Sequence, residues 1–553
     1  MRWFALTGLR KPAANLVSTM TQSRVGALLA AMAVYVIAGR ALAAPLDAPP
    51  SGLRPAGMAL TDVLRRYDRA AGDLSFHTRA EEWQVQERGL TGTFVQKISG
   101  EDLVTTLSLG PFLTMEGRYL GQSWRQDENG LTVLRQDIHQ KTAISEKAID
   151  AAFDHPETPG PGIELLGETT GEKPAFVVQV HPSGGRLVWI FFDASSGLIV
   201  REESIVAERR VVTTYDDFRR TAGTTEAWHH HVSDGRPNNE EDWTLSALRV
   251  DAPIAGSDFA IPPDRRALLE FPAGVSDVRL PARIVEGKVV VRLTVGGRGL
   301  DFLLDSGAGD IAFDEGVAAS LGLNPVGKQT QEVAGRFDRS RALVPQIGIG
   351  ELRMRDVVVS ILPFQSSPDA STRIVGLLGF DFFKNAVVRI DYERGTVDAI
   401  DPARFTPPAR SVALPVALDD GVPLVPATVG DDKGNHFILD TGSAYTIIFS
   451  GFATDHPQAV ADQSGGALER RAHGIVSARG VGGEVMLIPT ELRMFRFGGS
   501  DFADYTAYVT RSARALERED EDGLIGAPTL SRFVIFLDYS RQQVELVRND
   551  LHA

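Results

Sequence analysis

The sequence predicts a mainly β protein, in which an antiparallel sheet region with one helix is followed by two copies of a single β unit. Three observations predict it. From Thr91 to about Ile261, short apolar runs of period near two alternate with Gly, Pro and Asp turns. Beyond Pro262-Pro263, a hairpin ending in an aspartate recurs 135 residues later, at Asp305 and again at Asp440. The composition, 43% hydrophobic and 23% charged, is that of a packed chain and excludes a disordered or fibrous one. A length of 553 residues predicts about three to five units.

Arg2, Arg10, Lys11 and Arg24 form a basic leader, and an apolar run from Val25 to Ala38 follows. Ala41-Leu42-Ala43 then offers small residues where a signal peptidase cuts, so residues 1–43 are expected to be a signal peptide. The alternative is an uncleaved anchor, but the run is short for a membrane span. Cleavage removes five basic and no acidic side chains, which carries the net charge from −15 to −20. The expected product is exported, periplasmic or secreted, and acidic. Such a chain is a poor candidate for nucleic-acid binding, which needs clustered Lys and Arg against phosphate.

Residues 44–58 are expected to be a linker and Thr61–Ala71 a helix, with Thr61 as N-cap and Leu60, Val63, Leu64 and Tyr67 as the apolar stripe. Strands are expected at Gly92-Thr-Phe-Val-Gln, Leu187-Val-Trp-Ile-Phe-Phe and Leu198-Ile-Val-Arg. Asp193-Ala-Ser-Ser-Gly197 is a hairpin turn between the last two. Phe192-Asp193 with Gly197-Leu198, Tyr215-Asp216-Asp217-Phe218, Gly223 and the closing Ser257-Asp258-Phe259-Ala-Ile-Pro262 resemble the bacterial periplasmic lipoprotein-carrier fold. That resemblance implies a curved antiparallel sheet over 44–265 and contact with lipid or lipoprotein. A generic antiparallel sheet is the alternative.

The repeat begins with Val289–Val295, a Gly296-Gly297 turn and Leu300-Asp-Phe-Leu-Leu-Asp305-Ser-Gly-Ala. Its second copy is Pro423–Val429, a turn at 431–434 and Asn435-His-Phe-Ile-Leu-Asp440-Thr-Gly-Ser. Val375-Gly-Leu-Leu-Gly379 precedes Ile390-Asp391-Tyr392, and Gly523-Leu-Ile-Gly526 precedes Leu537-Asp538-Tyr539, each glycine standing twelve residues before its aspartate. Pro407-Pro408 reads as the linker between a first half at 266–406 and a second at 407–553.

A lone Asp-Ser-Gly is a common turn. Here the motif occurs twice, in one register, each time after three apolar residues and before a hydrophobic-hydrophobic-Gly segment. In this context 278–553 resembles two retropepsin-like aspartic protease units fused in tandem. The resemblance implies two β-barrel halves forming an intramolecular pseudodimer, with no need for dimerisation to complete the site. It implies catalysis by Asp305 and Asp440, and catalytic-loop support from Ser306, Gly307, Thr441 and Gly442. It further implies that the Leu-Leu-Gly379 and Leu-Ile-Gly526 segments thread behind the catalytic loops. Metal-free peptide hydrolysis needs a base for water and an acid for the carbonyl or the leaving nitrogen, and two adjoining carboxylates sharing one proton supply both.

Two features depart from the family. Thr446 stands six residues after Asp440, but Ile311 occupies that place after Asp305, behind Gly309-Asp310. No flap tyrosine is evident; the glycines of 473–483 and the segment Val333–Phe337 mark the expected flaps, and two ordinary hairpins are the alternative. Asp391-Tyr392 and Asp538-Tyr539 read as structural, the acidic run 517–522 as a solvated loop, and His229-His230-His231 as a solvated strand end. No metal or cofactor is expected. The absence of cysteine excludes disulfides, a thiol nucleophile and thiolate metal sites. No Walker A loop, His-Glu-x-x-His or Gly-x-Ser-x-Gly is present. The leading expectation is an exported aspartic-type endopeptidase acting on a polypeptide. The alternative is a non-catalytic periplasmic carrier holding peptide or lipid. Contact between the two carboxylates distinguishes them.

Overall fold

The computed structural model describes residues 46–72, 76–135, 140–206, 209–221, 223–332, 336–364, 373–460, 476–480, 483–510 and 520–549. The leader lies outside these. The chain divides into two units, one of 46–127 with 140–262 and one of 128–135 with 263–549.

In the first unit an antiparallel sheet runs, in spatial order, through 53–54, 163–169, 175–180, 188–193, 199–206, 209–221, 224–233, 241–250, 78–87, 90–99, 102–109, 112–119 and 122–126. Strand alternation divides its side chains between two faces. Ile190 and Phe192 join Val178 and Val180 beneath Val63, Leu64 and Phe153 of the helices Leu60–Ala71 and Gln140–Asp154. Trp189 and Phe191 point the other way, where the guanidinium groups of Arg210 and Arg201 lie over their rings at 4.3 and 4.6 Å. The expected turn at 193–197 is present, with the Asp193 carboxylate accepting from the amides of Ser195 and Ser196. The first helix starts one residue earlier than its spacing suggests. Ala59 is the N-cap and makes no side-chain bond, so Thr61 lies within the first turn and caps nothing.

The second unit is built on two sheets with the same strand order. The first half has β1 (Lys288–Val295), β2 (Arg298–Leu304), β3 (Ala312–Asp314), β4 (Val326–Glu332), β5 (Arg336–Ile349), β6 (Leu352–Leu362) and β7 (Gly376–Leu378). The second half has β8 (Val422–Val429), β9 (Asp432–Leu439), β10 (Ile447–Ile448), β11 (Val476–Gly480), β12 (Gly483–Phe497), β13 (Ser500–Thr510) and β14 (Gly523–Ile525). The first sheet runs β6-β3-β7-β2-β1-β5-β4, with β6 pairing back to β5. The second runs β13-β10-β14-β9-β8-β12-β11, with β13 pairing β12, which is the same order shifted by seven strands. A third sheet takes strands from both halves, and Val387–Asp391 lies antiparallel to Phe533–Asp538. Phe302, Leu304, Phe437, Leu439, Phe382, Leu530 and Tyr539 belong to one fully buried cluster shared by the halves.

Candidate active site

β2 and β9 each end by delivering an aspartate. Their last apolar residues, Phe302–Leu304 and Phe437–Leu439, are buried, so each strand is fixed in register up to the carboxylate. The glycine motifs lie directly behind. β7 pairs in parallel with β2 at Leu303–Leu377 and Leu304–Leu378, and β14 pairs with β9 in the same way. The amide of Asp305 donates to Leu378 O at 3.1 Å and that of Asp440 to Ile525 O at 3.0 Å. The threading expected from sequence is therefore the observed arrangement.

Beyond the strand ends, the two loops hold each other. The Ser306 amide donates to Thr441 Oγ1 at 3.0 Å and the Thr441 amide to Ser306 Oγ at 2.9 Å. The hydroxyls donate onward across the halves, Ser306 Oγ to Leu439 O at 2.7 Å and Thr441 Oγ1 to Leu304 O at 2.8 Å. All four bonds are buried, where an unmet donor or acceptor is costly, so the halves are pinned at this point. Gly307 N donates to Asp305 Oδ1 at 2.9 Å and Gly442 N to Asp440 Oδ1 at 2.7 Å. Each glycine faces the opposite carboxylate. A Cβ at Gly307 would stand 2.9 Å from Asp440 Cγ, and one at Gly442 would stand 2.6 Å from Asp305 Cγ. Only glycine leaves room for the two carboxylates to meet.

Both carboxylates are buried, and burial is the main force on their protonation. It pushes Asp305 well above the usual carboxylate range, helped by the charge of Asp440 and the bond between them. Asp440 is also raised by burial, although its bonds to Asp305 and to the amides of Gly442 and Ser443 oppose the rise. The pair thus holds one proton more readily than free carboxylates do. Lys288, at the start of β1, lowers both by its charge, more weakly than burial raises them. It sits at the tip of the hairpin Ala282–Val291, where a Cβ on Gly287 would stand 3.0 Å from Ala527 Cβ of the second half. Nothing in the sequence singles it out, because a lysine opening a strand is unremarkable until the fold carries it across.

The loop exits differ. In the second half, Thr446 Oγ1 bonds Thr529 Oγ1 at 2.9 Å and accepts from Tyr505 OH at 3.0 Å. In the first, Ile311 supplies no hydroxyl. Asp310 instead accepts from Arg339, Arg341 and Ser360, and Asp381 Oδ2 accepts from the Ile311 amide at 2.8 Å. A charged cluster thus takes the place of a hydroxyl network, which explains the irregular Gly309-Asp310.

Tyr539 stacks on Phe383 at 5.2 Å and donates to Ser306 O at 3.4 Å, which ties it to the first loop. Asp391 and Asp538, by contrast, close equivalent turns through Arg394 and Arg541. The expected flaps correspond to the hairpins β4–β5 and β11–β12, and residues 333–335, 473–475 and 481–482 lie outside the described residues. The histidines differ from their expectation of a solvated strand end. His229 pairs with Asp216 at 2.9 Å and His231 with Asp242 at 3.0 Å, from neighbouring strands. His230 is buried between Trp83 and Tyr215, and burial pushes its pKa down to about 3.

Residues 291–382 match the family model described as Aspartyl protease. This span contains Asp305, the β7 thread and Gly379. No curated protein matches the chain. Among solved structures, an aspartic proteinase from Irpex lacteus aligns at 13% identity over 50% of this chain and 99% of its own, with a TM-score of 0.32. A DUF1329 family protein from Desulfovibrio piger aligns at 11% identity over 36% of this chain and 95% of its own, with a TM-score of 0.26. A LolA superfamily protein from Nitrosomonas europaea aligns at 10% identity over 37% and 98%, with a TM-score of 0.27.

Proposed function

We propose that this chain is an exported aspartic-type endopeptidase whose dyad, Asp305 and Asp440, is built within one chain by a pseudodimer of two halves. The observation that carries the reading is the reciprocal grip of Ser306 and Thr441, which sets each carboxylate against the other half's glycine. A carrier needs no such arrangement, and burying two carboxylates together is costly even when they share a proton, a cost that proton-transfer chemistry gives a reason to keep. A water held between them loses a proton to one carboxylate as its oxygen attacks the peptide carbonyl. The other carboxylate gives its proton to the carbonyl oxygen. The tetrahedral species then collapses: the first carboxylate gives the proton it took from water to the leaving nitrogen as the C–N bond breaks, and a hydroxyl of the former carbonyl carbon returns its proton to the second carboxylate, leaving a carboxylic acid, an amine and the singly protonated pair. No metal ion takes part in this scheme.

In the periplasmic or secreted setting that we infer from the leader, the substrate is a polypeptide. The N-terminal unit serves delivery, through contact with lipid or lipoprotein. Among the described residues no helix is long and apolar enough to cross a membrane. The test is cleavage of an unfolded protein by the full-length chain with and without a statine-type inhibitor, which mimics the tetrahedral species. Cleavage abolished by the inhibitor is expected. Cleavage indifferent to it, or none at any acidic pH, would overturn the reading.

A further inference from the structure

The segment 128–135 lies between two strands of the N-terminal unit in sequence, yet it belongs to the unit that holds the candidate site. Its burial is not incidental. Leu131 and Val133 are members of the core cluster that includes Phe302, Phe437 and Tyr539. The Gly130 carbonyl accepts from the Arg265 amide at 2.8 Å, and the Thr132 amide donates to Asp264 at 2.6 Å.

Its two ends grip different halves. At the start, Glu128 pairs with Arg341 at 3.4 Å, and the Asn129 side chain spends every polar group on the first half. Asn129 Oδ1 accepts from the Val358 amide at 2.8 Å, while Nδ2 donates to Val358 O at 2.9 Å and to Asp381 Oδ1 at 2.8 Å. The other oxygen of Asp381 holds the Ile311 amide, six residues after Asp305. At the far end, Arg135 pairs with Asp419 at 3.7 Å, and Gln542 Nε2 donates to Leu134 O at 3.2 Å, both in the second half.

We propose that Glu128–Arg135 is a strap that aligns the two halves of the site, with Asn129 as the positioning residue for the first catalytic loop. Its route is Asn129 to Asp381 to the Ile311 amide. It takes over the task that the buried hydroxyls of Thr446, Thr529 and Tyr505 perform in the second half. The two carboxylates belong to opposite halves, and a displacement of about 1 Å at a reacting centre costs on the order of a hundredfold in rate. A residue that fixes one loop and a segment that ties both halves therefore act on turnover rather than on substrate affinity. This inference rests on the endopeptidase reading only for its kinetic consequence.

The test uses the full-length chain with Asn129→Ala, and Asn129→Asp as the second variant, which keeps the shape and the bond from Val358 but sets a carboxylate against Asp381. Hydrogen exchange is read at the Ile311 and Val358 amides without substrate, and kcat and KM are measured separately on an unfolded substrate. The expected result is exchange at Ile311 faster by about tenfold or more, with kcat reduced by about tenfold or more and KM within about twofold. Wild-type exchange at Ile311 in a folded variant overturns the proposal, as does a loss confined to KM. If neither variant folds, the segment is a folding element and not a positioning one, and the proposal is equally overturned. A wild type with no proteolysis removes the endopeptidase reading but leaves the exchange result to judge the strap.

Discussion

At the scale of single residues, the pairing of Asp305 with Asp440 was the most legible feature of the molecule. Asp305-Ser-Gly and Asp440-Thr-Gly could be paired from sequence because both loops need the same residues for the same reasons: a hydroxyl to cross, and no Cβ opposite the partner carboxylate. Lys288 and Tyr539 were not legible, because their importance comes from distant chain segments brought beneath or beside the pair. The pair also makes a pH prediction. Burial raises Asp305, so the folded state favours its proton, and the stability this gives is complete in acid and lost as pH rises through the raised value. Asp305→Asn should therefore match the wild type in stability near pH 4. At neutral pH it should be the more stable, by about 1.4 kcal/mol for each unit of elevation. Denaturant unfolding at the two pH values measures this, and equal stability at both would contradict the buried, shared proton. Lys288→Gln removes the charge that lowers both carboxylates, so the alkaline limb of the pH–rate profile should move to higher pH. An unmoved limb would show that the lysine charge does not reach the dyad.

At the scale of elements, the hairpins and the two glycine threads followed from period-two patterning and from the glycines themselves. The loop exits did not, because Asp310 and Asp381 do work for which a hydroxyl was expected, and a charged cluster has no short-range sequence signature. The threads carry their own prediction. A Cβ at Gly379 would fall 2.3 Å from Asp310 O, and one at Gly526 would fall 2.1 Å from Tyr445 O. Backbone oxygens cannot rotate aside as a side chain can. Gly379→Ala and Gly526→Ala should each destabilise the protein by about 1–3 kcal/mol or more, the range for forced overpacking, and depress activity by shifting the loop in front. A thermal melt within a degree of wild type for either variant would show that the threads yield.

At the scale of the whole molecule, the two repeated halves were readable because a repeat leaves matching spacings, and the equal strand orders follow from them. The chain excursion at 128–135 was not. Glu128-Asn-Gly-Leu-Thr-Val-Leu-Arg135 has the same turn-then-alternation pattern as the strands around it, so a boundary near residue 265 was the natural reading. What decides its place is burial against residues hundreds of positions away, which no local pattern records. The central claim is that two carboxylates from two halves act as one group. It is tested most directly by the rate of hydrolysis of an unfolded protein across pH by wild type, Asp305→Asn, Asp440→Asn and the double variant. Groups that share a proton fail together, so each single variant should lose turnover about as fully as the double, and the wild type should work best in acid. Near-normal hydrolysis by either single variant, additive losses in the double, or a wild-type optimum above about pH 9 would contradict it.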